Sequence, residues 1–369
     1  MNVHHKLSGT QTLIHFATAG AGFHFIQQLG SVPGSSAFFA GASILQARQT
    51  LTDYIGYEPD SGYCSQAVAY DMAIAAYQQA VRACQENEHE QHPIGFAVTA
   101  AIASTRLPRG DHRAHLCAIS KDGIYYRHVP LEKGQGQDLR SHHDTQITRA
   151  LTEILTAITT GCRDHRVDAH FTEHLLKRPH FLPNGRRTAR STQPGLVFPA
   201  NFNPIHDGHW AACERAEALT GSTPTEFAIE IEPPNKPAIA ISEVLRRITY
   251  VQRLEEKRTQ GKPSRAITIT RGEGTYLEKA RRRPGSAIII GADAALRLFD
   301  PIWGHDVDQM LAEFLTLKTH FYVQKRYVGG KVISAEDLPI PNRYRTLFTA
   351  LPGKPINVSS TQLRQAQAA

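Results

Sequence analysis

The sequence predicts a protein of two α/β domains, and three observations support this prediction. Its 369 residues are more than one hydrophobic core usually serves. Short apolar segments alternate with helical patterns from about residue 9 to 160, and again from about residue 195. Between them, residues 177–195 are rich in Pro, Gly, Arg and Ser and have no apolar period. We therefore predict an N-terminal domain at 1–165, a linker at 166–194 and a C-terminal domain at 195–369.

In the N-terminal domain, one helix and two strands have the clearest patterns. "SQAVAYDMAIAAYQQAVRAC" (65–84) is amphipathic with a helical period, and Ser65 is a suitable N-cap. "HPIGFAVTAAIAS" (92–104) and "HRAHLCAIS" (112–120) are apolar runs of strand type. These patterns predict a sheet with at least one long helix packed on it.

In the C-terminal domain, five short apolar strands are separated by helical segments. This alternation is typical of a doubly wound parallel sheet with helices on both faces. The predicted strands are "GLVF" (195–198), "TEFAIEI" (225–231), "RAITIT" (265–270), "SAIIIG" (286–291) and "THFYVQ" (319–324).

Composition and charge exclude several classes of protein. A hydrophobic content of 41% without a long apolar run predicts neither a membrane span nor a targeting signal, so we expect a cytoplasmic protein. The 5 cysteines are scattered, without a C-x-x-C pair, and predict neither a disulfide framework nor a structural zinc site. The net charge of +7 is dispersed, so we do not expect nucleic acid as a partner.

The turn after the first C-terminal strand, "FPANFNPIHDGHW" (198–210), carries the most informative residues. In an open parallel sheet, ligands bind beyond the carboxyl ends of the strands. His206 and His209 lie at the predicted start of a helix that stops at Gly221, where unsatisfied amides and the helix dipole favour phosphate. Cationic or hydrogen-donating imidazoles at this position would bind a polyphosphate.

These residues resemble those of a known enzyme group. "FNPIHDGH" resembles the H-x-G-H signature of nucleotidyltransferases, in the form found in nicotinamide mononucleotide adenylyltransferases, and "NVSSTQLR" (357–364) resembles their S-S-T-x-x-R signature. "IIIGADAAL" and "EPPNKPAIAISEVLRRITYVQRL" are similar to two further segments of that group, in the same order. The resemblance implies a Rossmann-like fold and adenylyl transfer from ATP, with Mg²⁺, to a pyridine mononucleotide.

The resemblance also implies roles for individual residues. His206 and His209 would contact the triphosphate, and Lys236 would neutralise the triphosphate or the incoming phosphate. Asp293 would bind a ribose hydroxyl or Mg²⁺. Trp303 and Tyr276 are candidates to stack on a ring of the substrate, with core packing as the alternative. The remaining predicted substrate-binding residues come from the two signatures: Phe202, Asn203, Ser359, Ser360, Thr361 and Arg364.

One departure from the group keeps other functions open. Where the group has a glycine pair that lets the backbone approach phosphate, this chain has Pro199 and Ala200. The alternatives are transfer from CTP or to another phosphorylated acceptor, and a sensor or scaffold that binds NAD-related nucleotides without turnover. The sequence leaves open the choice between the amide and acid mononucleotides, and also the oligomeric state, for which a homodimer is one alternative.

The N-terminal domain resembles a different family. "QQLGSVPGSSAFFAGASIL" (27–45) is similar to the start of the CinA-type nicotinamide-nucleotide amidase domain. Ungapped counting puts that family's serine, threonine, tyrosine and lysine at Ala19, Ala21, Gln46 and Leu51. Without these groups the acyl chemistry of such an amidase is lost. We therefore predict a catalytically inactive amidase-like domain.

Two further motifs in the N-terminal half have weaker implications. Arg109, His112 and Arg113 in "RLPRGDHRAH" would form an anion site for a nucleotide phosphate, with an exposed basic hairpin as the alternative. "HFTEH" (170–174) has the spacing of an inverted zinc-protease motif, but it falls in the predicted linker without an evident third ligand. We predict no protein-bound metal.

Overall fold

A computed structural model describes most of the chain. It covers residue 7 and residues 11–84, 91–107, 109–189, 195–221, 224–234, 236–300, 306–356 and 358–368. By their internal contacts the residues divide into two compact units. The first is Met1–Lys177 with Ala240–Arg253, and the second is Arg178–Ile239 with Leu254–Ala369. Within the described residues, no helix is long and apolar enough to cross a membrane.

The first unit is built on a mixed five-stranded sheet. Its order is β2-β1-β3-β4-β5, in which β1 pairs in parallel with β2 and β3, and β3, β4 and β5 are antiparallel. The strands are β1 (Thr12–Ala19), β2 (Phe39–Ile44), β3 (His92–Ala101), β4 (Arg113–Ser120) and β5 (Gly123–Pro130). The helices are α1 (Phe23–Gly30), α2 (Arg48–Ile55), α3 (Gln66–Ala83), α4 (Gln137–Thr160) and α5 (Asp168–Leu176).

Helix α3 and strands β3 and β4 confirm the clearest patterns of the N-terminal sequence. The Ser65 hydroxyl caps α3 by accepting a hydrogen bond from the Val68 amide at 3.4 Å. The helix packs so closely on the sheet that a Cβ on Gly95 would lie 2.2 Å from the Tyr77 nitrogen. On this strand only glycine permits that approach, and the helix is thereby fixed in its position on the sheet.

The described part of the segment predicted as a linker, residues 166–189, contains a helix and a hairpin. Helix α5 buries Phe171 and Leu175, and its His174 Nε2 lies 2.9 Å from the buried Asp71 carboxylate. The strands β6 (His180–Phe181) and β7 (Arg187–Thr188) form a hairpin, and β6 joins the sheet of the second unit. A few apolar side chains suffice to anchor a short helix and an edge hairpin in a segment whose composition is that of a linker.

The second unit is built on an eight-stranded sheet in the order β15-β12-β11-β8-β9-β10-β6-β7. The six strands from β15 to β10 are parallel. Numbered among themselves, these six have the order 6-5-4-1-2-3, which is that of a Rossmann-like doubly wound fold. They are β8 (Leu196–Pro199), β9 (Glu226–Glu230), β10 (Ile267–Thr270), β11 (Ala287–Gly291), β12 (His320–Gln324) and β15 (Phe348–Ala350).

Helices follow these strands, as the sequence predicts. A separate hairpin is formed by β13 (Arg326–Val328) and β14 (Lys331–Ile333), directly after β12. The helices of the second half are α6 (Asp207–Thr220), α7 (Ile241–Arg258), α8 (Tyr276–Arg282), α9 (Ala292–Leu296), α10 (Val307–Thr316) and α11 (Ser360–Ala368). Helix α6 ends at Gly221 in the left-handed conformation, at the predicted stop.

Candidate active site

The candidate site lies where the strand order of the second sheet reverses. Strands β8 and β11 are neighbours there; β8 leads to α6 through the loop 200–206, and β11 leads directly into α9. His206 is the N-cap of α6, and Gly291 is the N-cap of α9. In doubly wound sheets this switch point opens a crevice at the carboxyl ends of the strands.

Two backbone amides hold the rings of His206 and His209. The Gly208 N–H donates to His206 Nδ1 at 3.1 Å, and the His206 N–H donates to His209 Nδ1 at 3.2 Å. An Nδ1 that accepts a hydrogen bond carries no proton, so in each neutral ring the proton is on Nε2. Both histidines therefore present Nε2–H as a hydrogen-bond donor, with ring centroids 3.8 Å apart.

Both imidazoles are neutral at physiological pH. Burial, together with the positive charge of Arg326, lowers the pKa of His206 to about 4. Burial, His206 and Arg326 lower the pKa of His209 to about 3. Protonation of Nδ1 would also break the amide contacts that hold the rings. Of the two states expected from the sequence, the structure therefore selects the hydrogen-donating imidazole over the cationic one.

Phe202 supports His209 from within the core. It is buried, with a φ of 45°, and its ring centroid lies 5.4 Å from that of His209. Phe198 contacts the same imidazole at 5.6 Å. Phe202 was expected to bind substrate, but its position against Phe198 and His209 gives it a packing role. It fixes the orientation of the His209 ring.

The two signatures meet although 156 and 161 positions separate the two pairs of residues that join them. Ser360 Oγ donates a hydrogen bond to the Pro204 carbonyl at 2.9 Å, and the Arg364 guanidinium donates to the Asn203 carbonyl. Ser359 caps α11 by accepting from the Gln362 amide at 3.2 Å. These contacts hold the start of α11 against the histidine loop. The Thr361 hydroxyl accepts from Arg364 at 3.2 Å.

Arg326 is a site residue that sequence reasoning missed. Its Nη1 donates to the Val358 carbonyl at 3.2 Å, and its Nε lies 3.8 Å from Asp293 Oδ1. It therefore links the turn after β11 to the residues before α11. The available signal was a basic residue two positions beyond a predicted parallel strand, where the ligand of such a sheet binds.

The remaining predicted residues of this domain have different surroundings. Asp293 lies in the first turn of α9 with 53% of its side chain exposed, which leaves its carboxylate accessible. Lys236 is exposed in the irregular segment after β9. Tyr276 packs on Phe321 at 6.2 Å, and burial raises its pKa, which favours the core-packing alternative. Trp303 lies outside the described residues.

The Pro199–Ala200 pair continues the sheet in a regular way. The Ala200 N–H donates to the Ala228 carbonyl of β9 at 3.0 Å, and neither residue has a positive φ. The backbone conformation at this point does not require glycine. What the pair adds relative to glycine is side-chain bulk.

The predicted N-terminal anion site is not assembled. Arg109 is exposed, whereas His112 is buried with its Nε2 2.7 Å from the Gly134 carbonyl. Arg113 donates to the carbonyl oxygens of Asp111 and Cys64 at 3.2 and 3.3 Å. Successive side chains of an extended segment point to opposite sides, so His112 and Arg113 do not converge on one ligand.

The positions that correspond to the amidase machinery are also accounted for. Ala19 ends β1, Ala21 and Leu51 are buried, and Gln46 is exposed. At the start of α1, the amides of Phe23 and His24 donate to the Asp144 carboxylate at 3.2 and 3.1 Å. The Gly22 amide donates to the same group. The chain's own carboxylate occupies the position where that helix could bind an anion.

Comparisons with known proteins fall on the two parts of the chain separately. Three solved structures are similar to its N-terminal part. Competence/damage inducible protein CihA from Agrobacterium tumefaciens is 19% identical, covers 39% of this chain and 84% of its own, and has a TM-score of 0.29. The competence or damage-inducible protein from Enterobacter asburiae is 14% identical, covers 42% of this chain and 93% of its own, and has a TM-score of 0.33. A CinA superfamily protein from Escherichia coli is 14% identical, covers 42% of this chain and 84% of its own, and has a TM-score of 0.31.

Identities and TM-scores this low carry no argument about the activity of the first unit. No curated protein matches the chain in sequence. Residues 197–366, by contrast, match the family described as cytidylyltransferase-like. This range contains both signatures, the switch point and Arg326. The C-terminal part of the chain is therefore a cytidylyltransferase-like domain with a Rossmann-like fold, which supports a nucleotidyltransferase.

Proposed function

We propose that the C-terminal domain transfers an adenylyl group from ATP to nicotinamide mononucleotide, forming NAD and pyrophosphate. The family match supports nucleotidyl transfer in general. The resemblance of the sequence to nicotinamide mononucleotide adenylyltransferases supports this choice of substrates. One structural observation carries the proposal: two neutral imidazoles at the switch point have Nδ1 bonded to the backbone and Nε2–H available to a ligand.

The reaction needs positioning and charge stabilisation more than proton transfer. A phosphate oxygen of the mononucleotide forms a bond to the α-phosphorus, and the bond from that phosphorus to the bridging oxygen breaks. The electron pair leaves with pyrophosphate. Because the attacking phosphate is already an anion, no general base is required. The Nε2–H groups of His206 and His209 donate to the triphosphate and stabilise the negative charge that develops on the leaving group.

The C-terminal signature positions the histidine loop. Ser360 and Arg364 donate to consecutive carbonyl oxygens, those of Pro204 and Asn203, two to three residues before His206. Pre-positioned donors cost no reorganisation when the reaction occurs. Lys236 is proposed to neutralise the acceptor or the triphosphate from the surface segment after β9.

The residues of this site are compatible with Mg²⁺ that arrives with ATP. Mg²⁺ usually keeps several waters and binds through substrate phosphates and one or two carboxylates. Asp293, with its side chain 53% exposed, is a carboxylate that could take this role, and a ribose hydroxyl is the alternative ligand. When bound, the ion would neutralise charge on the triphosphate.

The Pro199–Ala200 pair keeps open a second candidate function, a nucleotide sensor that does not catalyse transfer. In this case the added bulk beside the loop would allow binding but hold the phosphates away from the reactive geometry. Transfer from CTP, or to another phosphorylated acceptor, is the catalytic alternative, because the histidines contact phosphate and do not read the base.

One assay separates these functions. The full-length chain is incubated with Mg²⁺, with ATP or CTP, and with nicotinamide or nicotinic acid mononucleotide, and dinucleotide and pyrophosphate are followed by chromatography. Product from ATP and nicotinamide mononucleotide is the expected result. Product only with CTP or with the acid would reassign the substrate, and binding without product in any combination would favour the sensor.

A further inference from the structure

We propose that Arg326 binds the triphosphate directly and is the fixed cation of the site, at the point where the turns after β8, β11 and β12 converge. This inference rests on the proposed function of the same site. It adds a residue that belongs to neither signature and that was not among the residues predicted from the sequence.

The position of Arg326 follows from the topology. It lies two residues beyond the carboxyl end of β12, which pairs with β11 next to the switch point. Its side chain extends back over the crevice between β11 and β8. There Nη1 donates to the Val358 carbonyl at 3.2 Å, just before the Ser359 cap of α11.

Two glycines make room for the guanidinium. A Cβ on Gly208, the glycine of the H-x-G-H signature, would lie 3.4 Å from Arg326 Nη1 and 2.9 Å from His206 Cε1. A Cβ on Gly291, the N-cap of α9, would lie 3.3 Å from Arg326 Nε. The 3.3 Å distance is tighter than usual contacts of a Cβ, and the 3.4 Å distance is a close van der Waals contact. Side chains at these two turns would therefore crowd Arg326 and its neighbours His206 and Asp293.

Part of the guanidinium is left without a partner. The Nε is buried and has no hydrogen-bond acceptor among the described residues, since Asp293 Oδ1 at 3.8 Å is too far to accept. A buried donor without an acceptor costs stability, and such groups are often found where a ligand binds. A phosphate in the crevice would provide the missing oxygen, and arginine suits phosphate through paired N–H donors.

The charge of the site supports the same conclusion. His206 and His209 are neutral because burial and Arg326 lower the pKa of each to about 4 and about 3, respectively. The two histidines thus supply hydrogen bonds, and Arg326 supplies the permanent positive charge beside them. A triphosphate carries several negative charges, and such charge in a partly buried site requires an opposite charge.

Arg326 can be tested with variants that separate charge from size. Arg326→Gln removes the charge at similar length, and Arg326→Lys keeps the charge without the fork of donors. Arg343→Gln is the matched control. That exposed arginine lies on a 3₁₀ turn outside the site and forms an ion pair with Asp308. The readouts are kcat and KM for ATP, the pH profile of kcat, and calorimetric binding of tripolyphosphate.

We expect Arg326→Gln to lower kcat by about 10²–10³-fold, as for loss of one pre-organised donor at a developing charge. Binding of tripolyphosphate should weaken by about tenfold or more. Arg326→Lys should retain part of the turnover and part of the tripolyphosphate affinity, and Arg343→Gln should match the wild type in both. Since Arg326 lowers the pKa of both histidines, its loss should shift the acid limb of the profile to higher pH, a change that a purely structural role would not produce.

The outcomes distinguish this inference from the proposed function. Wild-type turnover and tripolyphosphate affinity in Arg326→Gln would overturn the role of Arg326 and leave the transferase intact. A wild-type chain that binds tripolyphosphate through Arg326 but transfers no nucleotide would remove the proposed function and keep the inference. A wild-type chain that does not bind tripolyphosphate would overturn the inference.

Discussion

The two units use the same local structure, a parallel strand that turns into a helix, in opposite ways. At the start of α1, three amides donate to the buried Asp144 carboxylate. At the start of α6, the neutral imidazole of His206 accepts a hydrogen bond from the Gly208 amide, and Arg326 adds a positive charge nearby. The first turn is closed by a carboxylate of the chain itself, whereas at the second turn a neutral imidazole accepts from the amide and a cation lies nearby. A helix N-terminus therefore indicates a ligand site only when its own chain does not already provide the anion.

The largest effect should come from removing the hydrogen-bond donors of the second turn. We expect His206→Ala or His209→Ala to lower kcat by about 10²–10³-fold, because each removes an Nε2–H from the developing charge. Steady-state kinetics with thermal unfolding as a check on folding measures this. An alanine variant that is folded and fully active would contradict this difference between the two turns, since the turn at the start of α6 would then have no catalytic role.

Asp144 provides the corresponding test of the first turn. Asp144→Asn should lower the free energy of unfolding by about 1–3 kcal/mol, because a buried charged acceptor of helix amides is replaced by a weaker one. Urea unfolding measures the change, and Asp138→Asn, at an exposed position of α4, is the control. Nucleotidyl transfer should stay unchanged. An equally stable Asp144→Asn variant would show that this turn does not need its internal anion.

The two histidines should also make stability depend on pH. Their pKa values in the folded state, about 4 for His206 and about 3 for His209, lie below the ordinary value of 6.5. The unfolded chain binds these protons first, so their contribution to stability is complete above pH 6.5 and is lost as the pH falls toward 4 and then 3. Urea unfolding of the wild type and of a His206→Asn/His209→Asn variant between pH 4 and pH 7 measures this. Identical slopes would contradict the neutral assignment.

The smallest effect should come from the Pro199–Ala200 pair. Because the backbone there is regular, Pro199→Gly/Ala200→Gly should change kcat/KM by less than about tenfold. A gain of more than about 100-fold would mean that side-chain bulk holds the wild-type site back, and it would favour the sensor function.

The sequence predicted what depends on local chemistry. Ser65 and Gly221 set helix ends, and His206 was placed at the mouth of a helix from its neighbours alone. The order of the parallel strands is not local, and the sequence predicted only a doubly wound parallel sheet without that order. The tautomers of His206 and His209 could not be predicted, because they depend on which ring nitrogen faces a backbone amide.

Where prediction failed, the reason was tertiary packing. Arg326 acquires its role only when the ends of β8, β11 and β12 are brought together, and its sequence position gives no distance to Gly208. Residues 168–176 form a helix because Phe171 and Leu175 find a core to pack on. Conversely, Arg109, His112 and Arg113 are adjacent in sequence but have different surroundings, because an extended segment separates successive side chains.

The most direct test of the account compares His209→Gln with His209→Asn in the full-length chain. The Gln amide can place an N–H near the position of Nε2, whereas Asn can replace only Nδ1 and its contact with the His206 amide. If the Nε2–H donor stabilises the leaving pyrophosphate, the Gln variant should keep at least about tenfold more NAD formation than the Asn variant, with similar unfolding. Wild-type turnover in the Asn variant would contradict the claim that this donor acts on the substrate.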